Sequence, residues 1–175
     1  YANTMYNQQK GFYYLYKAID IYKTLQDSTD LGIAYHDIAI YFASINQYDS
    51  SLYYAQKSLS VLMSQKFALP NMALIGTMYY KKGNISMAFT YLRKSIENSP
   101  KYWLPYYTFA EYHLEKGNRD SSLYYAKKAF ESDEKELANE QKVSAILAKV
   151  YRTTSKQDSA AKYFELALSY NDITN

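Results

Sequence analysis

Apolar residues recur along this chain three and four positions apart, with polar residues filling the places between, which is the spacing of amphipathic helices rather than strands. Ile38 and Phe42 are four apart, as are Phe109 and His113, so each pair shares a helix face. The periodic runs stop at recognisable turns. Gly83 and Gly117 each follow the last periodic residue of a run, where a left-handed helix end favours glycine. Asn84 and Asn118 come next, at places that suit the cap of a following helix. Pro70 and Pro105 fall where a first helical turn accepts proline. The pattern predicts an N-terminal helix over about 4–26. Four pairs follow, at 31–45 and 48–65, 69–82 and 85–98, 102–116 and 119–132, and 137–153 and 157–170.

The pairs repeat. Tyr79-Tyr80-Lys81-Lys82-Gly83-Asn84 is matched 34 residues later by His113-Leu114-Glu115-Lys116-Gly117-Asn118. Asp49-Ser50-Ser51-Leu52-Tyr53-Tyr54-Ala55 returns as Asp120-Ser121-Ser122-Leu123-Tyr124-Tyr125-Ala126, with weaker copies from Ser86 and Asp158 and a partial one from Tyr13. One tyrosine marks every copy: Tyr14, Tyr54, Tyr91, Tyr125 and Tyr163, at successive intervals of 40, 37, 34 and 38. Four residues on stands a small side chain, Ala18, Ser58, Ser95, Ala129 or Ala167. Recurrence at one structural position is what a repeated interface requires, so these tyrosines are expected to pack between repeats. Gly76, Ala39, Ala110 and Ala148 each follow a large apolar residue and would let a neighbouring backbone come close.

These units resemble tetratricopeptide repeats, a family built from 34-residue pairs of antiparallel helices, A and B. In the best copy Ile75-Gly76 and Tyr79 match helix A, Ala88, Leu92 and Ser95 match helix B, and Pro100 closes the unit. Departures are Ser in place of Ala at Ser51, Ser58, Ser95 and Ser122, and a missing closing proline in three copies. The resemblance implies an all-α solenoid of about nine helices wound as a right-handed superhelix. It would form one array over 1–175: a half-repeat at 1–28 and full repeats at 31–65, 69–100, 102–134 and 137–171. The long first helix ending Ile21-Tyr22-Lys23-Thr24-Leu25 is similar to long-helix members of bacterial signalling proteins. The Tyr-, Ser-, Lys- and Asn-rich style resembles sensor regions of Bacteroidetes regulators.

Composition narrows the function classes. Twenty Lys and Arg stand against 17 Asp and Glu, interleaved along the chain, so no basic stripe offers itself to nucleic acid. With no Cys there are no disulfides, thiolate metal sites or Cys nucleophiles. A Cys-free chain suits the cytosol and the periplasm equally, and a sensor role tilts the balance to the periplasm. No apolar run approaches the ~20 residues of a membrane span. Tyrosine is the unusual residue, at 23. The chain does not begin with Met and opens directly into helical pattern, which reads as a piece of a longer protein.

Candidate chemistry follows from the resemblance, in which helix A lines the concave groove. Carried over copy by copy, the groove positions are Ile33, His36, Ile40 and Ser44; Ala73, Thr77, Tyr80 and Lys81; Leu104, Tyr107, Glu111, Leu114 and Glu115; and Lys142, Ala145, Lys149 and Arg152. Tyr80 and Tyr107 are the aromatic anchors for a bound peptide. Such a wall suits a protein or peptide ligand of mixed charge. The chaperone-tail clamp of some family members is not expected, because its Lys and Asn places hold His36, Ile40, Ala73 and Thr77. No catalytic constellation is evident: His113 stands where other copies have Phe42, Tyr79 and Tyr151, His36 has no second His at metal-ligand spacing, and Glu111 with Glu115 reads as a charged face. Neither cofactor nor metal is expected. The chain therefore reads as a non-catalytic interaction module, the sensory or scaffolding region of a bacterial regulatory protein. The alternatives are a small-ligand-binding sensor domain and a structural assembly scaffold. The last helix, with Tyr163, Leu166 and Tyr170, lacks the polar outer face that ends a solenoid, so pairing of two copies through an end, or further chain, is expected there.

Overall fold

The computed structural model describes the backbone of residues 2–62, 68–132, 137–154 and 156–174, and the side chains of 10–62, 68–132, 139–154 and 156–170. Among the described residues it is all-α: α1 (Ala2–Leu25), α2 (Ser28–Ser44), α3 (Tyr48–Leu62), α4 (Ala68–Lys81), α5 (Ile85–Asn98), α6 (Trp103–Glu115), α7 (Arg119–Phe130), α8 (Leu137–Thr153) and α9 (Gln157–Thr174). This is the expected order of one long helix followed by four pairs. Residues 63–65, the expected last turn of the 48–65 helix, and residue 134, the expected end of one repeat, lie outside the described residues.

The helices form two compact units, Tyr1–Ser95 and Ile96–Asn175. The first has two clusters of buried side chains. One joins Ile19 of α1 to Ala34, Tyr35 and Ile38 of α2, and the other joins Ala39 of α2 and Leu52 and Ala55 of α3 to Leu74, Ile75 and Met78 of α4. The second unit has one core, which joins Trp103, Tyr106 and Ala110 of α6 and Ala126 and Ala129 of α7 to Val143, Ile146, Leu147 and Val150 of α8.

Small residues set the approach of each pair. A Cβ on Gly76 would stand 2.8 Å from Leu92 Cγ and 3.1 Å from the Ala88 carbonyl oxygen, so α4 and α5 meet where only glycine fits. Gly32 does the same between α2 and α3, with Leu62 Cγ 2.4 Å from where its Cβ would be. Three of the four serines that replace alanine, Ser51, Ser58 and Ser122, donate to a helix A carbonyl, while Ser95 Oγ is buried without a hydrogen-bond partner among the described residues. Ser51 Oγ donates to the Ala39 carbonyl at 2.8 Å and Ser122 Oγ to the Ala110 carbonyl at 2.8 Å, each tying helix B to its own helix A.

The recurrent tyrosines correct an expectation. All four on a helix B stack within a pair, and only two of them also pack between repeats among the described residues. Tyr54 stacks on Phe42 at 5.6 Å, Tyr91 on Tyr79 at 5.8 Å, Tyr125 on His113 at 5.4 Å and Tyr163 on Tyr151 at 5.5 Å. In each case an aromatic or imidazole ring on helix A stands 12 residues before the tyrosine on helix B, near parallel to it. Two of these also reach back to the preceding repeat: Tyr54 is hydrogen bonded to the Tyr16 hydroxyl of α1, and the Tyr163 ring meets Phe130 of α7 edge-on at 5.5 Å. Tyr14 of α1 is mostly exposed and touches the Tyr13 ring.

Candidate functional site

In the first unit the expected groove residues scatter. His36 is half-buried and its Nδ1 lies 2.8 Å from Asn71 Oδ1, an acceptor, so this nitrogen carries the proton. The Asn71 amide donates to Ser58 Oγ at 2.9 Å, and that hydroxyl donates to the Gly32 carbonyl. His36 is thus the outer end of a chain of hydrogen bonds linking α4, α3 and α2. Ile40 is exposed and Ile33 half-buried. Thr77 is buried and its hydroxyl turns back to the Ala73 carbonyl at 2.9 Å. Tyr80 is 6% exposed, which withdraws it from the role of surface anchor, and Lys81 sits over its ring at 5.1 Å.

In the second unit the expected residues converge. Tyr107, Glu111, Leu114 and Glu115 of α6 face Gln141, Lys142, Ala145, Ile146 and Lys149 of α8 across an open cleft of roughly 350 Å³. The helices place them by register. Tyr107, Glu111 and Leu114 recur at intervals of four and three on α6, with Glu115 four after Glu111, and Lys142, Ala145 and Lys149 at three and four on α8, so each set forms one stripe. The floor is apolar, from Leu114, Ala145 and the buried Ile146. One wall bears two carboxylates and the other two ammonium groups. Gln141 and Ile146 were not anticipated; both adjoin anticipated residues in α8, and the spacing to them is the only signal in the sequence. Arg152, the last expected basic residue, is exposed and does not line the cleft.

Tyr107 is held in place before any ligand arrives. Its hydroxyl donates to Glu111 Oε1 at 3.1 Å, and its ring meets Trp103 edge-on at 5.6 Å. Burial, reinforced by the Glu111 carboxylate, pushes its pKa up, so it stays a neutral donor at any physiological pH. Lys142 Nζ lies 5.8 Å from the centre of the Trp103 ring, a cation–π contact that steadies the basic wall. The arrangement can accept an apolar side chain on the floor while pairing a cation on one side and an anion on the other. Among the described residues no group of three or more His, Asp or Glu side chains could hold a metal ion, and no helix is long and apolar enough to cross a membrane.

Comparison with known proteins agrees on the fold. Residues 70–102 match the model of the tetratricopeptide repeat family. The apo form of RapI is similar in structure over 97% of this chain and 64% of its own, at 15% identity and a TM-score of 0.68. The Rap conjugation gene regulator of the plasmid pLS20, in complex with the Phr* peptide, is similar over 97% of this chain and 55% of its own, at 16% identity and a TM-score of 0.67. MamA is similar over 89% of this chain and 88% of its own, at 16% identity and a TM-score of 0.54. No curated protein matches the sequence. The chain is an α-solenoid of tetratricopeptide-repeat type.

Proposed function

We propose that this chain is a non-catalytic protein-interaction module and that the cleft between α6 and α8 takes an extended peptide segment of a partner protein. The observation that carries the proposal is the polarity of the cleft: an apolar floor between an acidic wall, Glu111 and Glu115, and a basic wall, Lys142 and Lys149. Opposed walls of opposite charge orient a ligand and reject one of reversed polarity. The favoured segment carries an apolar residue for the floor, an acidic residue toward α8 and a basic residue toward α6. The pLS20 regulator, whose structure includes a peptide, makes a sensory or scaffolding part of a bacterial regulatory protein the favoured setting.

The test is selection from a displayed library of random peptides, followed by calorimetry with the enriched sequences. Enriched peptides should share the apolar–acidic–basic pattern. Lys142→Glu with Lys149→Glu, or Tyr107→Ala, should each weaken binding about tenfold or more, equivalent to about 1.4 kcal/mol, with helicity by circular dichroism unchanged. Enriched peptides that bind these variants as well as the native chain would overturn the site, and a library yielding none would overturn the reading.

A further inference from the structure

Two apolar faces lie exposed at opposite ends of the sequence. On α1, Tyr14, Ile21 and Leu25 are each more than half exposed. They are seven and four residues apart and form one stripe. Lys10 and Lys17, both exposed, border it, one turn before Tyr14 and Ile21 respectively. On α9, Phe164 is more than half exposed and Leu168 nearly so, with the exposed Ala161 on the same stripe. Asp158 and Glu165, both exposed, border that one, each three residues before an apolar member.

The two faces complement each other in charge and in spacing. α1 carries three lysines and one aspartate, and α9 three carboxylates and one lysine. Lys10 and Lys17 are seven residues apart, and so are Asp158 and Glu165. Seven residues are two helical turns, about 10.5 Å along the axis, so both pairs can meet in one register. Packing α1 on a second α1 would set lysines against lysines, and α9 on α9 would set carboxylates against carboxylates. From this complementarity we infer that the occupant of each face is a second copy of this chain, with α9 of one copy seated on α1 of the next. Each contact joins different surfaces of the two copies, so every copy offers one face of each kind. This contact is distinct from the cleft and stands whether or not a peptide binds there.

Sedimentation velocity of the chain, across protein concentration and at low and high salt, reads this directly. The mean mass should rise with concentration and fall with added salt. Lys10→Glu with Lys17→Glu should abolish the rise, as should Asp158→Lys with Glu165→Lys, each keeping native helicity because all four side chains are exposed. Combining the four substitutions in one chain should restore association, as should mixing the two double variants in equal amounts. A monomer at every concentration in low salt would overturn the inference. So would association that strengthens with salt, or that ignores the charge reversals, since either would mark an apolar contact between like faces.

Discussion

His113 holds a place that three other helix pairs give to Phe42, Tyr79 and Tyr151, and it does the same work, stacking on Tyr125 with the rings 6° from parallel. Desolvation in that stack lowers its pKa below the usual histidine range. The unfolded chain therefore binds this proton more readily than the folded one, and stability falls as pH drops below the unfolded value of about 6.5. His113→Phe removes the titration and keeps the stack. The difference in denaturation midpoint between this variant and the native chain should be flat above about pH 7 and should move in favour of the variant toward pH 5. A difference that does not change with pH would mean the imidazole charges as easily in the fold as out of it. The stack itself was written in the sequence as a constant offset of 12 residues. Following the tyrosines alone, without their helix A partners, finds the contact between repeats that Tyr54 and Tyr163 make and misses the stack within the pair that all four share. Ser51 and Ser122 are a related case: on sequence they look like degenerate alanines, and only the helix A carbonyls opposite them explain them.

The turns inside and before the pairs are more uniform than their residues suggest. At four of them the backbone is left-handed: Gln26, Asn46, Gly83 and Gly117 have φ of 56°, 59°, 79° and 74°. Each donates to the carbonyl three residues back, and the next residue donates to the carbonyl five back, as in Asn84 to Tyr79 at 2.9 Å and Asp27 to Tyr22 at 3.0 Å. This is the Schellman ending. Glycine made two of these turns legible, and the other two were hidden because Gln and Asn carry a Cβ. Gln26→Gly should raise stability by about 1 kcal/mol by relieving that strain. Asn46→Gly should gain less, because Asn tolerates the conformation and Asn46 Oδ1 also accepts from the Tyr48 hydroxyl. Thermal midpoints check both, and a lower midpoint for Gln26→Gly would show that strain at this turn is relieved elsewhere. The start of α2 shows the same limit. It lies three residues before the expected 31 because the Asp27 carboxylate accepts from the amides of Thr29 and Asp30 at 3.1 and 3.0 Å, a cap that an apolar period does not reveal. Asn84 caps α5 as expected, through Met87 N at 3.2 Å, whereas the Asn118 side chain turns to His113 instead.

Across the whole molecule, the part of the candidate site that was legible is the part built on helices with a polar face. Glu111, Glu115, Lys142 and Lys149 mark the open sides of α6 and α8, so the groove positions carried over on these helices line one cleft. On α4 it failed for Thr77 and Tyr80, because that helix buries Ala68, Asn71, Ala73, Leu74, Ile75, Gly76, Thr77, Met78 and Tyr80. A helix apolar nearly all round gives no sign of which side is open. Burial on this scale also sets how damage should spread. In a solenoid each repeat leans on its neighbours in sequence, so stability is close to a sum of local terms. Gly76→Leu tests this at a point where the structure cannot yield cheaply. Leu92 can swing aside from the new side chain, but the Ala88 carbonyl 3.1 Å from its Cβ is backbone and must move with α5. The expected cost is about 1–3 kcal/mol from overpacking. Hydrogen exchange should show the lost protection concentrated in α3, α4 and α5, with the amides of α8 and α9 exchanging as in the native chain. Equal loss of protection in all the helices would mean that the chain opens as one cooperative body and that nearest-neighbour additivity does not describe it.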